Sequence, residues 1–406
     1  MPVIVQKYGG SSLADAAKIK NVAGRITAAR DDGNQVVVIV SAMGDTTDEL
    51  LRLAYHMAER PNQRELDVLL STGETVSSTL LTMALHDMGY KAISLSGAQA
   101  GIKTDTSYSR ARITGFHPDR INKELGKGSI VIVAGFQGVN EEMDTTTLGR
   151  GGSDTTAVAL AVGLKAGECQ IYTDVVGVFT ADPRIVPEAR HIKEIGYEEM
   201  LELSSYGASV MAPRAVELGQ IYKIPILVAS SFKDNPGTLI HGGATMETHN
   251  KVTAITHNMN VAKVTVVGVP DSPGIAASIF EPLAHAGISV DTIVQNASIK
   301  NITDLTFTVA ESDLERAMAV VKPLAKKINA KKCVSDAKLG EISVIGTGMQ
   351  NTPGYASTMF STMSDKDINI QLITTSEVRI TCIIEEARVS DAVRALHRAF
   401  KLEQSD

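Results

Sequence analysis

The first residues able to do chemistry lie near the start of the chain, where Lys7 is followed by Gly9, Gly10 and Ser11. The apolar run before Lys7 predicts a buried strand, and the glycine pair predicts a turn from that strand into a helix. Backbone N–H groups at such a turn can approach an anion, and the helix dipole favours negative charge there. Lys7 adds a full positive charge. The pattern is typical of a phosphate site, with a tight turn and a surface lysine as the alternative interpretation.

A second glycine-rich turn spans residues 148–154 and again leads into a helix, which is predicted over residues 157–166. Its Arg150 could grip a carboxylate through two parallel hydrogen bonds, and its Asp154 falls in the first helical turn. A third loop, residues 173–184, follows a predicted strand and carries both acidic and basic groups. These residues suit a nucleotide-holding loop and equally a surface turn. The chain lacks the spacing of a P-loop or of a dinucleotide turn, which argues against a dinucleotide oxidoreductase.

The elements that must position these turns alternate between strand and helix over residues 1–245. Residues 36–40 are an unbroken β-branched run, which predicts a strand buried on both faces of a parallel sheet. That strand ends at a loop of small residues, 41–47, where open α/β sheets bind ligands. Glu74 lies within a helical pattern over residues 66–88. The alternation predicts one α/β domain with a largely parallel sheet.

The rest of the chain contains an internal repeat. Residues 263–274 match residues 341–354, and Phe280 and Phe360 align at the offset that also pairs later isoleucines. Each copy predicts a strand, a Pro-Gly turn, a helix, two strands and a helix, which together suggest a small βαββαβ-type module. Repeats this short usually need a partner to bury their sheet edges. A purely structural tail is the alternative.

Composition excludes several classes of function. A formal net charge of -7 gives no general attraction to nucleic acid or to anionic membranes. No apolar run approaches the ~20 residues of a membrane span, and no signal peptide is evident. The three cysteines, Cys169, Cys333 and Cys382, form neither a metal-binding spacing nor a disulfide framework, which suits a reducing compartment. We therefore expect a cytoplasmic protein, and we assign no metal-binding residues from the sequence.

Five motifs in order resemble the signatures of the aspartate kinase family. They are residues 7–12, 40–43, 72–74, 148–154 and 173–178. The repeated tail is similar to the paired ACT domains of that family, so the resemblance covers essentially the whole chain. It implies an amino acid kinase-like αβα sandwich with a largely parallel sheet, plus two α+β ferredoxin-like ACT modules. The expected boundaries are 1–245 for the catalytic domain, 246–262 for a linker, and 263–335 and 336–406 for the modules.

The resemblance implies transfer of the γ-phosphoryl group of ATP to the side-chain carboxylate of L-aspartate. The product is 4-phospho-L-aspartate, in the first step of lysine, threonine and methionine biosynthesis, with Mg²⁺ held mainly through the phosphates. The implied catalytic residues are Lys7, Arg150 and Asp154. The implied ATP-binding residues are Lys7, Gly9, Gly10, Ser11, Thr173, Asp174, Thr180, Asp182, Arg184 and Ser209. The implied substrate-binding residues are Ser41, Asp45, Thr47, Glu74, Arg150, Gly151, Gly152, Ser153 and Asp154.

Charge logic refines these implied roles. A carboxylate nucleophile has a pKa of about 3.9 and is ionised at neutral pH, so the reaction needs no general base. Asp154 is therefore interpreted as an orienting and electrostatic group. Arg150 would clamp a substrate carboxylate, and Glu74 would pair with the substrate ammonium. Ser209 stands where the family commonly carries a lysine, so we expect weaker ATP binding or a substitute cation, Arg214 or Lys223.

In the tail, the resemblance implies feedback by lysine, threonine or both, bound at module interfaces. The implied effector residues are Asp271, Asp291, Thr292, Ile293, Val294, Gln295, Asn369, Ile370 and Ser376. The expected assembly is a homo-oligomer, or a complex with a tail-only subunit, formed through the ACT modules. Two other functions stay open: another amino acid kinase, such as an acetylglutamate or glutamate kinase, and a catalytically weak amino-acid sensor.

Overall fold

The computed structural model describes residues 1–207, 210–243, 251–296, 301–350 and 352–404. These residues divide into two compact units. The first unit takes residues 1–179 and 191–243, and the second takes residues 180–190 and the described residues from 251 onwards.

The first unit is built on a large parallel sheet, which confirms the α/β prediction. Its strands are β1 (Val3–Tyr8), β2 (Gln35–Val40), β3 (Ala92–Leu95), β4 (Ile102–Thr104), β5 (Ile113–Phe116), β6 (Ile130–Ala134), β7 (Gln137–Val139), β8 (Thr145–Thr147), β9 (Cys169–Thr173), β10 (Val178–Phe179), β11 (His191–Ile192), β12 (Glu194–Gly196), β13 (Ile226–Ser230) and β14 (Thr238–His241). In the described part of the chain, the large sheet runs β12-β14-β13-β9-β1-β2-β6-β3, and only the β13–β14 pair is antiparallel.

Helices cover both faces of this sheet. They are α1 (Ala16–Asp31), α2 (Thr46–Met57), α3 (Gln63–Asp87), α4 (Gly97–Ala100), α5 (Asp119–Gly126), α6 (Gly152–Gly163), α7 (Tyr197–Ser205) and α8 (Pro213–Tyr222). Tyr8 packs with side chains of α1 and α3 in one buried cluster. Because neighbouring side chains of a strand point to opposite faces, Lys7 points the other way, towards α6. This alternation places Lys7 against the second glycine-rich turn.

Helix α3 is 25 residues long and, by length and composition alone, apolar enough to cross a membrane. In this structure it packs against α1 and β6 in the first unit, and 44% of its most apolar stretch is buried. Its buried side chains include Asp67 and Glu74. These contacts are those of a core helix in an α/β domain, for which one such apolar helix is ordinary.

A small second sheet, which the sequence pattern did not predict, lies beside the large one. Its strand order is β5-β4-β7-β8. The strands are only three or four residues long, which explains why periodicity could not detect them. Strand β8 ends at Thr147, immediately before the turn that carries Arg150. This sheet therefore carries one side of the candidate site.

The second unit has one sheet with helices packed on it. Its elements are β15 (Ala254–Pro270), α9 (Ile275–His285), β16 (Ile293–Gln295), β17 (Ile302–Val309), α10 (Leu314–Lys327), β18 (Lys332–Ile345), α11 (Tyr355–Asp365), β19 (Leu372–Thr375), β20 (Arg379–Glu385) and α12 (Val389–Ala399). The strand order is β16-β17-β15-β18-β20-β19. Helices α9 and α10 cover one apolar core, and α11 and α12 cover another. The two copies of the repeat thus form two modules, as predicted.

The two modules share their longest strands. Strands β15 and β18 pair antiparallel along nearly their whole length, with irregularities near Asn258 and Val261. The far half of β15 continues into the first module, while its first residues, 254–258, pair with the part of β18 that belongs to the second module. The second module therefore takes its last strand from residues that precede the first module. Those residues lie within the expected linker 246–262.

Residues 180–190 form the other unexpected part of the second unit. Ala181 and Val186 are buried in the core of the second module. The Ile255 N–H donates to the Thr180 carbonyl oxygen at 2.8 Å. The chain leaves the first unit after β10 and returns to it at β11.

Candidate functional site

A cavity of about 640 Å³ lies in the first unit beyond the carboxyl ends of β1 and β2. This is the position that open α/β sheets use for ligands. It brings together most residues that the sequence nominated for catalysis and binding. Those lining the cavity are Lys7, Gly9, Gly10, Ser11, Ser41, Thr47, Glu74, Arg150, Gly151, Gly152, Ser153, Asp154 and Thr173.

Lys7 and Asp154 form the charged centre of the cavity. The Lys7 Nζ atom lies 2.7 Å from Asp154 Oδ1, and each side chain is only about one-tenth exposed. Asp154 Oδ2 accepts a hydrogen bond from the Ala212 N–H at 3.2 Å. The first strand and the first turn of α6 thus present paired opposite charges in a largely desolvated place, where electrostatic interactions are strong.

The first glycine turn positions Lys7 through close backbone packing. The Gly9 N–H donates to the Tyr172 carbonyl oxygen at 3.1 Å, so this amide is already used within the protein. Gly9 therefore allows close packing beside Lys7 and does not offer a free N–H to a ligand. A Cβ atom on Gly10 would lie 2.7 Å from the Ala42 carbonyl oxygen. The Gly44 N–H donates to the Gly10 carbonyl oxygen at 3.0 Å. The two loops are therefore packed directly on each other, with no room for a larger residue at position 10.

Glu74 is a buried carboxyl aimed at the same space from α3, with an exposed fraction of 3%. Its Oε1 atom accepts a hydrogen bond from the Ala42 N–H at 3.1 Å. Its Oε2 atom has no hydrogen-bond partner among the residues that the structure describes. Burial raises the pKa of Glu74 to about 7, and the hydrogen bond from Ala42 opposes that rise. A buried acceptor without a partner is suited to a cationic ligand group.

The second glycine turn places Arg150 at the rim of the cavity, where its side chain is exposed. Gly149 and Gly151 adopt positive φ angles of 78° and 69°, which L side chains rarely adopt. A Cβ atom on Gly151 would also lie 2.4 Å from the Cβ of Ala212. The turn's backbone therefore requires glycine on either side of Arg150. Helix α6 begins earlier than the pattern predicted, at Gly152.

Several predicted nucleotide and substrate residues lie elsewhere. Among the described residues, Asp45 precedes α2 and does not line the cavity, whereas Asp48 does. Asp174 follows the lining residue Thr173 and accepts a hydrogen bond from its hydroxyl at 3.0 Å. Ser209 is outside the described residues. Lys223 ends α8 in a left-handed conformation.

Three predicted ATP-binding residues belong to the second unit. The Thr180 hydroxyl is buried and lies 2.9 Å from His397 Nε2. Asp182 and Arg184 form an ion pair at 2.7 Å, which lowers the pKa of the Asp182 carboxyl. Their role in ATP binding stays a prediction.

One wall of the cavity was not predicted from the sequence. This apolar wall comes from α2, α3 and the link between β6 and β7. Its members are Leu51, Tyr55, Leu66, Leu70 and Phe136. The helical periodicity of α2 and α3 placed these residues on helices but did not indicate which face opens onto a ligand. Phe136 has a positive φ of 67°, an uncommon conformation for a non-glycine residue. That conformation is not readable from sequence.

Most of the predicted effector residues lie at the two edges of the second unit's sheet, whereas Asp271 directly follows the inner strand β15. Residues 293–295 form edge strand β16, and Ile293 is 51% exposed. Asn369 and Ile370 precede the opposite edge strand, β19, and Ser376 follows it. Asn369 also lines a polar cavity of about 310 Å³. Their binding of amino acids stays a prediction.

Comparison with known proteins follows the same division of the chain. The sequence profile of the amino acid kinase family matches residues 2–230, and that of the ACT domain matches residues 264–323 and 342–400. The aspartate kinase of Pseudomonas putida is 46% identical over 408 residues, which cover 99% of this chain and 98% of that protein. The chain belongs to the aspartate kinase family. The aspartokinase of Mycolicibacterium smegmatis is 47% identical over 412 residues, covering 100% and 98%.

Solved structures of the aspartate kinase family agree. The crystal structure of aspartate kinase from Synechocystis matches this chain with a TM-score of 0.56 and 41% sequence identity. The match covers 100% of this chain and 70% of the Synechocystis chain. E. coli aspartokinase III, solved with aspartate and ADP, has a TM-score of 0.81 over 98% of this chain and 99% of its own. At 23% identity that likeness shows the fold. Membership confirms the predicted kinase and its paired ACT modules.

Proposed function

We propose that this chain transfers the γ-phosphoryl group of ATP to the side-chain carboxylate of L-aspartate. The observation that carries the proposal is the single cavity that combines the Lys7–Asp154 pair, the buried Glu74 carboxyl and Arg150. An amino-acid substrate with two carboxylates and one ammonium needs complementary charges of this kind. The names of the full-length relatives support the choice of aspartate over other amino acids.

The proposed chemistry needs little from the protein beyond charge and position. An oxygen of the aspartate side chain attacks the γ-phosphorus, and the bond from that phosphorus to the ADP oxygen breaks. In this proposal Lys7 neutralises charge on the moving group, and Asp154, whose Oδ1 atom is 2.7 Å from Lys7 Nζ, orients Lys7. The attacking carboxylate is already ionised at neutral pH, so no residue has to remove a proton.

We assign substrate ends by charge. Glu74 takes the ammonium group, because its buried Oε2 atom in the cavity wall has no hydrogen-bond partner within the described parts of the chain. Arg150 takes the α-carboxylate from the rim through parallel hydrogen bonds. The ATP phosphates lie along Gly10, Ser11 and Lys7, and the rest of the nucleotide lies towards Thr173 and Asp174.

ATP brings magnesium chemistry with it, since Mg²⁺ on the phosphates neutralises charge during transfer. Among the described residues, no group of three or more His, Cys, Asp or Glu side chains is placed to hold a metal ion. We therefore propose that the phosphates themselves supply most of its ligands. The protein's part is to hold the phosphates beside Lys7.

For regulation we propose lysine, threonine or both as effectors that bind at the edge strands β16 and β19. The equivalent position of these strands in the two modules supports a paired site. The same exposed edges suit association with another copy of the chain or with a tail-only subunit. Through this feedback the chain would control the entry step of lysine, threonine and methionine biosynthesis in the cytoplasm.

The test is formation of aspartyl hydroxamate from ATP, aspartate and hydroxylamine. Wild type and Lys18→Ala should both form it, because Lys18 is a partly exposed residue paired with Asp15 on α1. Lys7→Ala should form at least about a hundredfold less, since it loses the charge beside the transferring group. Hydroxamate absent from wild type, or unchanged in Lys7→Ala, would refute the proposal. Repeating the assay with lysine and threonine identifies the effector.

A further inference from the structure

Asp67 of α3 is a buried carboxylate with an unusually full set of hydrogen bonds and no assigned role. Its exposed fraction is 0%. It accepts from the Ser109 N–H at 2.9 and 3.0 Å and from the Ser109 hydroxyl at 3.1 Å. It also accepts from the Thr147 N–H and from the Thr147 hydroxyl, both at 2.8 Å. Asp67 therefore ties together two segments that are distant in sequence.

Arg214 of α8 ties the same two segments together with the opposite charge. Its Nη1 atom donates to the Leu148 carbonyl oxygen at 2.7 Å, and its Nη2 atom donates to the Ala111 carbonyl oxygen at 3.0 Å. Between the two clamps, the Ala111 N–H donates to the Thr147 carbonyl oxygen at 2.8 Å. The guanidinium is thus engaged with the protein's own backbone.

The clamped segments flank the Arg150 turn directly. Thr147 and Leu148 precede Gly149, whose backbone passes so close to the segment at Ser109 that an added Cβ would lie 3.1 Å from the Ser109 carbonyl oxygen. Ser109 itself holds a positive φ of 64°, which is strained for a serine. Strain of this kind persists where the surroundings over-determine the backbone, as the bonds to Asp67 do here. Both Ser109 and Thr147 line the cavity.

We infer that Asp67 and Arg214 are positioning residues that hold Arg150 in place to bind the substrate carboxylate. The inference rests on the proposed function, because it assigns the held turn to substrate binding. A hydrogen bond from an arginine to backbone carbonyl oxygens does not by itself indicate a functional role. Arg30, for example, donates to the Asn34 and Gly128 carbonyl oxygens far from the cavity. What distinguishes Asp67 and Arg214 is that both grip the two segments beside Arg150.

The kinetic test compares Asp67→Asn, Arg214→Met and Arg214→Lys with wild type. Asp67→Asn turns an amide N–H₂ towards backbone N–H donors, so the turn loosens. We expect the KM for aspartate to rise about 10- to 100-fold in Asp67→Asn and Arg214→Met, with the KM for ATP within about twofold. Arg214→Lys should recover part of the loss, since an ammonium can still reach one carbonyl. The effects in the double variant should be less than multiplicative, because both residues hold one structure.

Matched controls separate positioning from general stability. Glu124→Gln makes the same carboxylate-to-amide change at a buried residue that accepts bonds from Arg120 and Lys127. Arg30→Met removes an arginine that likewise bonds two carbonyl oxygens. Both controls should lower the melting temperature and leave the KM for aspartate unchanged. If the Asp67 and Arg214 variants behave like these controls, the positioning role is wrong.

A second readout does not depend on activity. Arg150 is exposed and is a trypsin site, so loosening the turn should speed cleavage after Arg150 in Asp67→Asn and Arg214→Met but not in the controls. Cleavage sites can be assigned by mass spectrometry of native protein digested briefly. Wild type without aspartate phosphorylation would refute the proposed function, and the cleavage rates would still decide whether these two residues hold the turn. Equal cleavage after Arg150 in all variants would overturn the inference.

Discussion

The Nζ atom of Lys7 lies 2.7 Å from Oδ1 of Asp154 in a cavity where both side chains are nearly buried. The pair holds the lysine ammonium over the end of β1, at the point where the cavity is lined by Gly9 and Gly10. The first prediction concerns this relationship, because Asp154 could either orient Lys7 or act as a base.

Asp154→Asn should reduce kcat about 10²- to 10³-fold without removing any titrating limb from the pH–rate profile. The amide still occupies the space but no longer aligns or charge-balances Lys7, whereas the attacking carboxylate never required deprotonation. The measurement is kcat from pH 6 to 9 for both proteins. Loss of a limb in the variant would instead assign proton transfer to Asp154.

Aspartate binding should strengthen as pH rises through about 7, because burial raises the pKa of Glu74 to about 7. Below that pH the carboxyl is neutral and cannot attract the substrate ammonium. The measurement is the KM for aspartate from pH 5.5 to 8.5, with the KM for ATP as the internal reference. Glu74→Gln should show a high KM that no longer changes across this range. A wild-type KM for aspartate that is flat with pH would contradict the assignment of Glu74.

Glu74→Gln should also stabilise the fold at pH 8 by an amount on the order of 3 kcal/mol. The pKa of this acid is higher in the folded protein than its ordinary value of 4.5. The wild type therefore loses stability as pH rises from about 4.5 to 7, where the unfolded chain releases the proton more readily. Glutamine keeps the acceptor for the Ala42 N–H and has no charge to bury. Urea unfolding at pH 4.5 and at pH 8 tests this, with the difference between the proteins expected only at the higher pH.

Gly10→Ala should abolish most activity and lower the free energy of unfolding by about 2 kcal/mol, because its Cβ would lie 2.7 Å from the Ala42 carbonyl oxygen. Gly24→Ala is the matched control. A Cβ on Gly24 meets nothing within 4 Å in the middle of α1, so alanine there should stabilise by about 0.5–1 kcal/mol. Urea unfolding and the hydroxamate assay on both variants check the contrast. Equal effects at the two positions would show that the loop at Gly10 adapts.

The sequence was informative wherever the signal lies within a short segment, as with hydrophobic periodicity or a short motif of charged residues and glycines. The β-branched run at 36–40 became β2, and the helical pattern at 66–88 became α3, with Glu74 turned into the cavity. Lys7 and Asp154 could be singled out because a charged residue next to a glycine-rich turn is typical of a ligand-binding site. The boundaries moved by a few residues, as at α6, which begins at Gly152 directly after Gly151, the left-handed residue of the turn.

What sequence could not supply was long-range placement. Asp67 and Arg214 look like ordinary helix residues until their partners on two distant segments are known. The strand at 254–258 read as linker because its partner, β18, lies beyond a whole module. Thr180 belongs to the loop 173–184, whose residues suit nucleotide binding, and nothing in that segment indicates that its hydroxyl lies 2.9 Å from Nε2 of His397, near the other end of the chain.

Because both modules contain parts of β15 and β18, the two copies of the repeat are not independent domains. Cutting the chain at the repeat boundary would remove a strand from the second module, because residues 254–258 would leave with the first. A shift of β15 or β18 in one module therefore directly changes backbone hydrogen bonds in the other. The two copies of the repeat therefore share one continuous ladder of backbone hydrogen bonds, and unfolding either copy would leave backbone groups of the other without their strand partners.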